Sequence, residues 1–260
     1  MTSSAGDPPS ESTRGGGALL QIRLAASFLT ILPVAIEFAG ESEVAPSMAW
    51  FPLVGLLMGI AFALEDRALG FLLGYPLRSA IVVLSMAVLS GAIHLDGLAD
   101  TADALGAGGD RTRALEILRD SRIGPFGAIA LFFVLGLKVI SLASLSGRPR
   151  LAALIVAPIL GRWALVAVSY RIEYLRATGA GSSMLGRRSE RNLLFASIIS
   201  VVAMIPFISC KIIITYAIAI IVTVAMRSFY RRWLGGITGD LIGACGEIVE
   251  AVTMIVIASR

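Results

Sequence analysis

The run His94-Leu-Asp96-Gly-Leu-Ala-Asp100-Thr-Ala-Asp103 is the densest concentration of polar side chains in the sequence, and it directly follows an apolar stretch. If a helix continues through it, Asp96, Asp100 and Asp103 stand at i, i+4 and i+7 and share one face. Three unpaired carboxylates so close together repel. A hard divalent cation removes that penalty, and an all-oxygen donor set suits Mg2+, with Mn2+ as the alternative. His94 has no partner at a zinc-ligand spacing and reads as a packed or hydrogen-bonded residue. Gly97 either ends the preceding span or lets a ligand approach the backbone.

Arginines follow. The amphipathic stretch Arg111–Gly124 fits the membrane surface, and its end crowds Arg119, Asp120, Ser121 and Arg122 before Gly124-Pro125. Forked guanidinium donors match phosphate oxygens. A second acidic site comes late: Asp240 follows Leu234-Gly-Gly-Ile-Thr238-Gly, with Glu247 on the same helical face two turns deeper and Glu250 beyond it. Thr238 is placed to cap that last helix, whose amino end is open to an anion. Lys138 and Arg162 lie inside apolar segments, where charges are costly and usually functional. They either pair with Glu247 and Glu250 or contact a substrate phosphate. Tyr170, Arg171, Tyr174 and Arg176 read equally as an interfacial belt or a binding surface. No serine–histidine or cysteine–histidine pairing supports covalent catalysis. Gly106-Ala-Gly108-Gly109 is too degenerate for a phosphate loop and reads as a flexible turn. These residues together point to metal-assisted phosphoryl chemistry at a membrane face.

The elements that must position them are membrane helices. Of 260 residues, 57% are hydrophobic and 15% charged, with mean hydropathy +0.85; soluble domains are about a quarter charged. Apolar runs at Met48–Leu64, Ser79–Ile93, Phe126–Leu145, Leu151–Tyr170, Asn192–Ser209, Ile212–Met226 and Leu241–Ser259 predict seven spans. The shorter Leu24–Phe38, interrupted by Pro33, predicts an interfacial segment. From the third span onwards, the loops on one side hold twelve basic residues and the turns on the other hold three, Arg148, Arg150 and Lys211. The positive-inside rule puts the long loops in the cytoplasm. The expected fold is an all-α polytopic membrane bundle, with one membrane-embedded catalytic domain over residues 18–260 and a disordered polar tail over residues 1–17. The arginine excess is explained by loops and headgroups, so nucleic acid is not expected. Cys210 and Cys245 read as free thiols without metal spacing.

Gly91-Ala-Ile-His-Leu-Asp-Gly-Leu-Ala-Asp-Thr-Ala-Asp103 followed by Ile117-Leu-Arg-Asp-Ser-Arg-Ile-Gly-Pro-Phe-Gly127 resembles the signature of the cobalamin synthases, the adenosylcobinamide-GDP ribazoletransferases. The resemblance extends to Phe28–Val34, Phe51–Gly55, Gly161-Arg162 and Gly235–Gly243. It implies a magnesium-dependent enzyme of the bacterial inner membrane, with its active site facing the cytoplasm, in late vitamin B12 assembly. Such an enzyme joins adenosylcobinamide-GDP to α-ribazole or its 5'-phosphate and releases GMP. Carried onto these positions, Asp96, Asp100 and Asp103 become the catalytic metal ligands, completed or flanked by Asp120 and Asp240. Arg119, Ser121, Arg122, Lys138, Arg162 and Thr238 become the substrate contacts, and Asp103 is the candidate to take the hydroxyl proton.

Two rivals remain. A CDP-alcohol phosphatidyltransferase also gathers aspartates around DG steps, but here Asp100 follows Ala99 where that pattern wants arginine, and its later GxxxDxxxD is missing. A transporter would spread polar residues along several spans, whereas these gather at one face. Assembly with further copies of the chain is left open by the sequence.

Overall fold

A computed structural model describes residues 17–34, 45–108, 110–120, 122–176 and 190–259. Ten α-helices run through them: α1 Ala18–Leu29, α2 Phe51–Leu69, α3 Tyr75–Leu89, α4 Ile93–Gly106, α5 Arg111–Ile117, α6 Pro125–Ala143, α7 Gly147–Ser169, α8 Glu190–Met204, α9 Cys210–Trp233 and α10 Gly239–Ala258. A 3-10 turn, Met48–Trp50, leads into α2 and another, Ile205–Phe207, extends α8. Proline begins α6 and stands next in line in α2 and α3, where a missing N–H costs no intrahelical bond.

Six of these helices are long and apolar enough to cross a bilayer, and α3 with α4 forms a further candidate bent by 90°. The protein is therefore an integral membrane helical bundle, and the seven expected spans are met when α3 and α4 count as one broken crossing. The helix does not run unbroken from Ser79–Ile93 into the aspartate run, which lies on a helix of its own. The chain breaks at Ser90–Ala92, where Gly91 (φ 62°) and Ala92 (φ 54°) are left-handed, and α4 restarts at an angle. The amide of Ile31 donates to Leu89 O at 2.9 Å, tying the segment after α1 to this break. The segment expected at the interface contains α1, an apolar helix too short to cross a bilayer, which begins earlier than the expected Leu24 and ends at Leu29, capped by Thr30. Trp50 Nε1 donates to Gln21 Oε1 at 2.9 Å, so α1 packs across the start of α2. The rest of Leu24–Phe38, beyond Val34, and the expected polar tail up to residue 16 lie outside the described residues.

Helix α7 is the axis of the bundle: 89% of its apolar window is buried, against 22% for α6 and α9, whose outward faces carry side chains such as Phe132, Phe133, Ile213 and Ile221. In hydrocarbon, close backbone approach supplies the packing that hydrophobicity supplies in water. Gly55 and Gly59 of α2 lie on the α7 backbone at Pro158 and Ile155, and Gly246 of α10 faces Gly161 of α7 from the other side. Alternation of the spans puts the α4–α6, α7–α8 and α9–α10 connections on one face, called here the basic face. The α2–α3, α6–α7 and α8–α9 turns lie on the opposite face.

A Cβ at Gly55 would sit 2.5 Å from Pro158 O and 2.9 Å from its carbonyl carbon, and main chain cannot step aside. Gly55→Val should destabilise the protein by about 1–3 kcal/mol, seen as a lower Tm in detergent, while Leu57→Val on the exposed face leaves Tm unchanged.

Candidate active site

The site forms where α4 and α10 meet at the basic face. Gly97 and Gly243 make the meeting close: a Cβ on Gly97 would lie 2.6 Å from Asp240 O, and one on Gly243 would lie 3.0 Å from His94 Cα. Gly97 thus lies inside α4 and admits a neighbouring helix. Helix α4 does present Asp96, Asp100 and Asp103 at i, i+4 and i+7, and its packing brings Asp96 and Asp100 within electrostatic reach of Asp240. Neither Asp96 nor Asp100 has a hydrogen-bond or ion-pair partner among the described residues.

Asp103 is engaged differently. Its oxygens accept the amides of Gly124 (2.7 Å) and Gly127 (2.9 Å), capping the amino end of α6. The glycines are what admit the carboxylate, since a side chain at either would collide with it. Asp240 accepts from Arg176 Nη2 at 2.6 Å and from Thr238 Oγ1 at 3.2 Å. Thr238 also caps α10 as expected, accepting Leu241 N at 3.4 Å.

Arg176 belongs to the group that the sequence left open between an interfacial belt and a binding surface. It also donates to Leu118 O at 2.5 Å, so one guanidinium joins the end of α5 to the start of α10. Its loop is fixed by a two-bond bridge: Leu175 N donates to Ile237 O at 2.9 Å and Ile237 N to Glu173 O at 2.7 Å. Burial raises the Tyr174 phenol above its ordinary range, so the ring beside Gly239 stays protonated. An arginine six residues beyond Tyr170 carries no local mark that separates it from headgroup arginines. Only the fold brings it to Asp240.

The other expected phosphate contacts spread out. Arg119 is exposed and its side chain has no partner among the described residues. Arg122 is also exposed and donates to Asp120 through Nη2 at 2.6 Å; those hydrogen bonds hold the Asp120 carboxyl below its usual range. Ser121 lies outside the described residues. Lys138 and Arg162 sit in the interior, Lys138 Nζ 2.5 Å from Glu247 Oε2 and 2.9 Å from Glu250 Oε1, and Arg162 on Glu250 Oε2. Of the two roles open to them, pairing is the one in place. His94 is buried beside this group, and Cys210 and Cys245 are free thiols.

Among the described residues, no group of three or more His, Cys, Asp or Glu side chains is placed to hold a metal ion, so the expected set of Asp96, Asp100, Asp103, Asp120 and Asp240 is not assembled. The donor chemistry nevertheless fits magnesium, which binds through one or two carboxylates and completes its shell with water and substrate phosphate. Asp96 and Asp100, uncommitted and beside Asp240, are the residues that would hold it.

A model of the cobalamin-5-phosphate synthases matches residues 21–258. The chain belongs to that family. It is 37% identical over 234 residues to the adenosylcobinamide-GDP ribazoletransferase of Desulforamulus reducens, covering 88% of this chain and 92% of that one. The same identity holds over 236 residues with the protein of that name from Syntrophobacter fumaroxidans (88% and 94%) and over 239 with that from Roseiflexus sp. (92% and 89%). No solved structure matches. The chain is thus a transferase of the cobalamin-5-phosphate synthase family, and both HxDGxADxxD and DSRIGxxG fall within the matched region.

The different tasks of the three aspartates are separable. Asp103→Ala, which removes both cap acceptors, should destabilise the protein by about 0.5–2 kcal/mol. Asp96→Asn and Asp100→Asn relieve like-charge repulsion and should leave Tm in metal-free buffer unchanged or higher. Thermal melts that rank all three alike would mean Asp103 belongs with the uncommitted pair.

Proposed function

We propose that this protein joins adenosylcobinamide-GDP to α-ribazole or its 5'-phosphate, releasing GMP, at the cytoplasmic face of a bacterial inner membrane. The observation that carries the reading is the α4–α10 contact, which gathers Asp96, Asp100 and Asp240 beside Arg176 on the face where the basic loops also lie. A diphosphate needs both charges: carboxylates to hold its cation, and guanidinium groups for its own oxygens. Family membership and the activity for which the relatives are named supply the substrates.

In the proposed reaction the ribazole hydroxyl oxygen forms a bond to the cobinamide-side phosphorus. The bond from that phosphorus to the bridging oxygen breaks, and the electron pair leaves with GMP. A magnesium ion bound at Asp96 and Asp100 would polarise the phosphoryl oxygens and neutralise developing charge. Asp103 is poorly suited to take the hydroxyl proton, because its oxygens already accept two amides. The two uncommitted carboxylates of α4 are those that would hold the cation, so the hydroxyl proton leaves to solvent water. Arg119, Arg122 and Arg176 line the side from which a soluble nucleotide enters, and Arg176 steadies Asp240 at the same time. Lys138 and Arg162 act from beneath, by fixing α10 against α6 and α7.

The test is release of GMP by membranes holding the protein, supplied with adenosylcobinamide-GDP, the ribazole in either form, and magnesium. GMP and a cobalamin product should appear only when ribazole and magnesium are both present. Well-folded protein that makes no product with either ribazole would overturn the assignment, and CMP release from a CDP-alcohol would replace it. Asp100→Asn should lower turnover by at least about a hundredfold while the protein remains folded in the membrane. Near-normal turnover in that variant would remove Asp100 from the metal site.

A further inference from the structure

The face opposite the active site carries few cations, and most of them surround one cleft. Its described basic residues are Arg67, Arg78, Arg148, Arg150 and Lys211, and the first four line a cavity of about 790 Å³ between the ends of α2, α3 and α7. Asp66 is the single acidic residue among those lining it. Arg150 is fully engaged: its guanidinium binds Asp66, Ser79 Oγ at 3.1 Å and Leu142 O at 2.5 Å. That leaves one carboxylate, already neutralised, to serve three more arginines.

Arg67 and Arg148 keep donors open, whereas Arg78 is largely enclosed, its side chain 14% exposed. Arg78 Nε lies 3.2 Å from Asp66 Oδ1 but out of line for a hydrogen bond, and its guanidinium stacks on the Tyr75 ring at 4.3 Å. Arg148 gives one nitrogen to Pro206 O at 2.8 Å and is otherwise exposed. Arg67 is exposed and makes no ion pair among the described residues. The rest of the wall is apolar, including Ile60, Leu64, Phe71, Leu151 and Leu154, and Leu64 and Phe71 are strongly exposed. Helices α2 and α7 supply that wall along their length, so it runs from the helix ends into the bilayer.

We propose that this cleft seats an anionic phospholipid, its phosphate on the exposed Arg67 and Arg148 with Arg78 behind them, and its acyl chains along Ile60, Leu64 and Leu151. Guanidinium forks account for the phosphate, and the apolar wall beneath accounts for the chains. A free phosphate or soluble phosphate ester would use the arginines and leave the wall without a purpose. The lipid would also relieve mutual repulsion among three cations around one shared carboxylate. The site stands on the far side of the bundle from the carboxylates and does not depend on the proposed reaction.

The experiment uses purified full-length protein in nanodiscs of phosphatidylcholine containing a minor fraction of phosphatidylglycerol. Lipid retained by each chain after detergent extraction is read by native mass spectrometry. Wild type should retain phosphatidylglycerol in preference to phosphatidylcholine, and Arg67→Gln/Arg148→Gln should lower that preference by about tenfold. Both positions are exposed, so the variant should keep the wild-type Tm in pure phosphatidylcholine. Arg113→Gln, on the basic face, should retain the lipid as wild type does. No headgroup preference in wild type, or an equal one in the double variant, overturns the proposal without recourse to any other variant. Displacement of the lipid by inorganic phosphate at equal concentration would identify a soluble-phosphate site and overturn it too.

Discussion

Four charges buried within the bundle constrain everything around them. Lys138 on α6, Arg162 on α7, and Glu247 and Glu250 on α10 sum to zero, and each touches a partner of opposite sign. Water cannot solvate them there, so removing one partner from such a group typically costs about 3–5 kcal/mol. Three helices are thereby held in one register. Glu247 lies two turns below Asp240 on the same face of α10, so the pairing that fixes Glu247 also fixes the height at which Asp240 meets Gly97. The carboxylates at the surface owe their meeting to neutralised charges beneath them.

Rigidity and reactivity are divided accordingly. Helix α7 is enclosed by α2 and α10 through contacts at Gly55, Gly59, Gly161 and Gly246, which allow backbones to touch. Helix α4 is short, leaves α3 at a right angle and carries the uncommitted Asp96 and Asp100. Loops bring the cations: Arg176 arrives from beyond α7, Arg119 and Arg122 from beyond α5. Their partners differ in how much each can hold. The Arg122–Asp120 pair is solvated and contributes little to stability, whereas Arg176, between Leu118 O and Asp240, ties two elements together.

The sequence made legible what depends on local pattern. Apolar length gives the spans, the uneven arginines give a basic face, and the spacing of Asp96, Asp100 and Asp103 gives a shared helical side. Thr238 before Gly239 and Asp240 signals a cap, and a cap forms. What depends on distant partners was not legible. Asp103 looks identical to its neighbours in the motif, yet it alone finds the amides of Gly124 and Gly127. The choice for Lys138 and Arg162 between carboxylates and substrate depended on how α10 packs, which periodicity does not encode. The break before α4 rests on Ala92 in a left-handed conformation, which alanine rarely signals.

The order of the buried quartet along the chain bears on biogenesis. Both cations, Lys138 and Arg162, are synthesised before either glutamate, because the two counter-charges lie on the most carboxyl-terminal of the described helices. A nascent chain that has inserted α6 and α7 therefore holds one ammonium and one guanidinium at bilayer depth before their two glutamates are made. Such an intermediate is held back by electrostatics from settling into lipid, and α10 completes it by arriving. The same four residues that align the finished site make α10, the latest of the described helices to be synthesised, the one that closes the quartet.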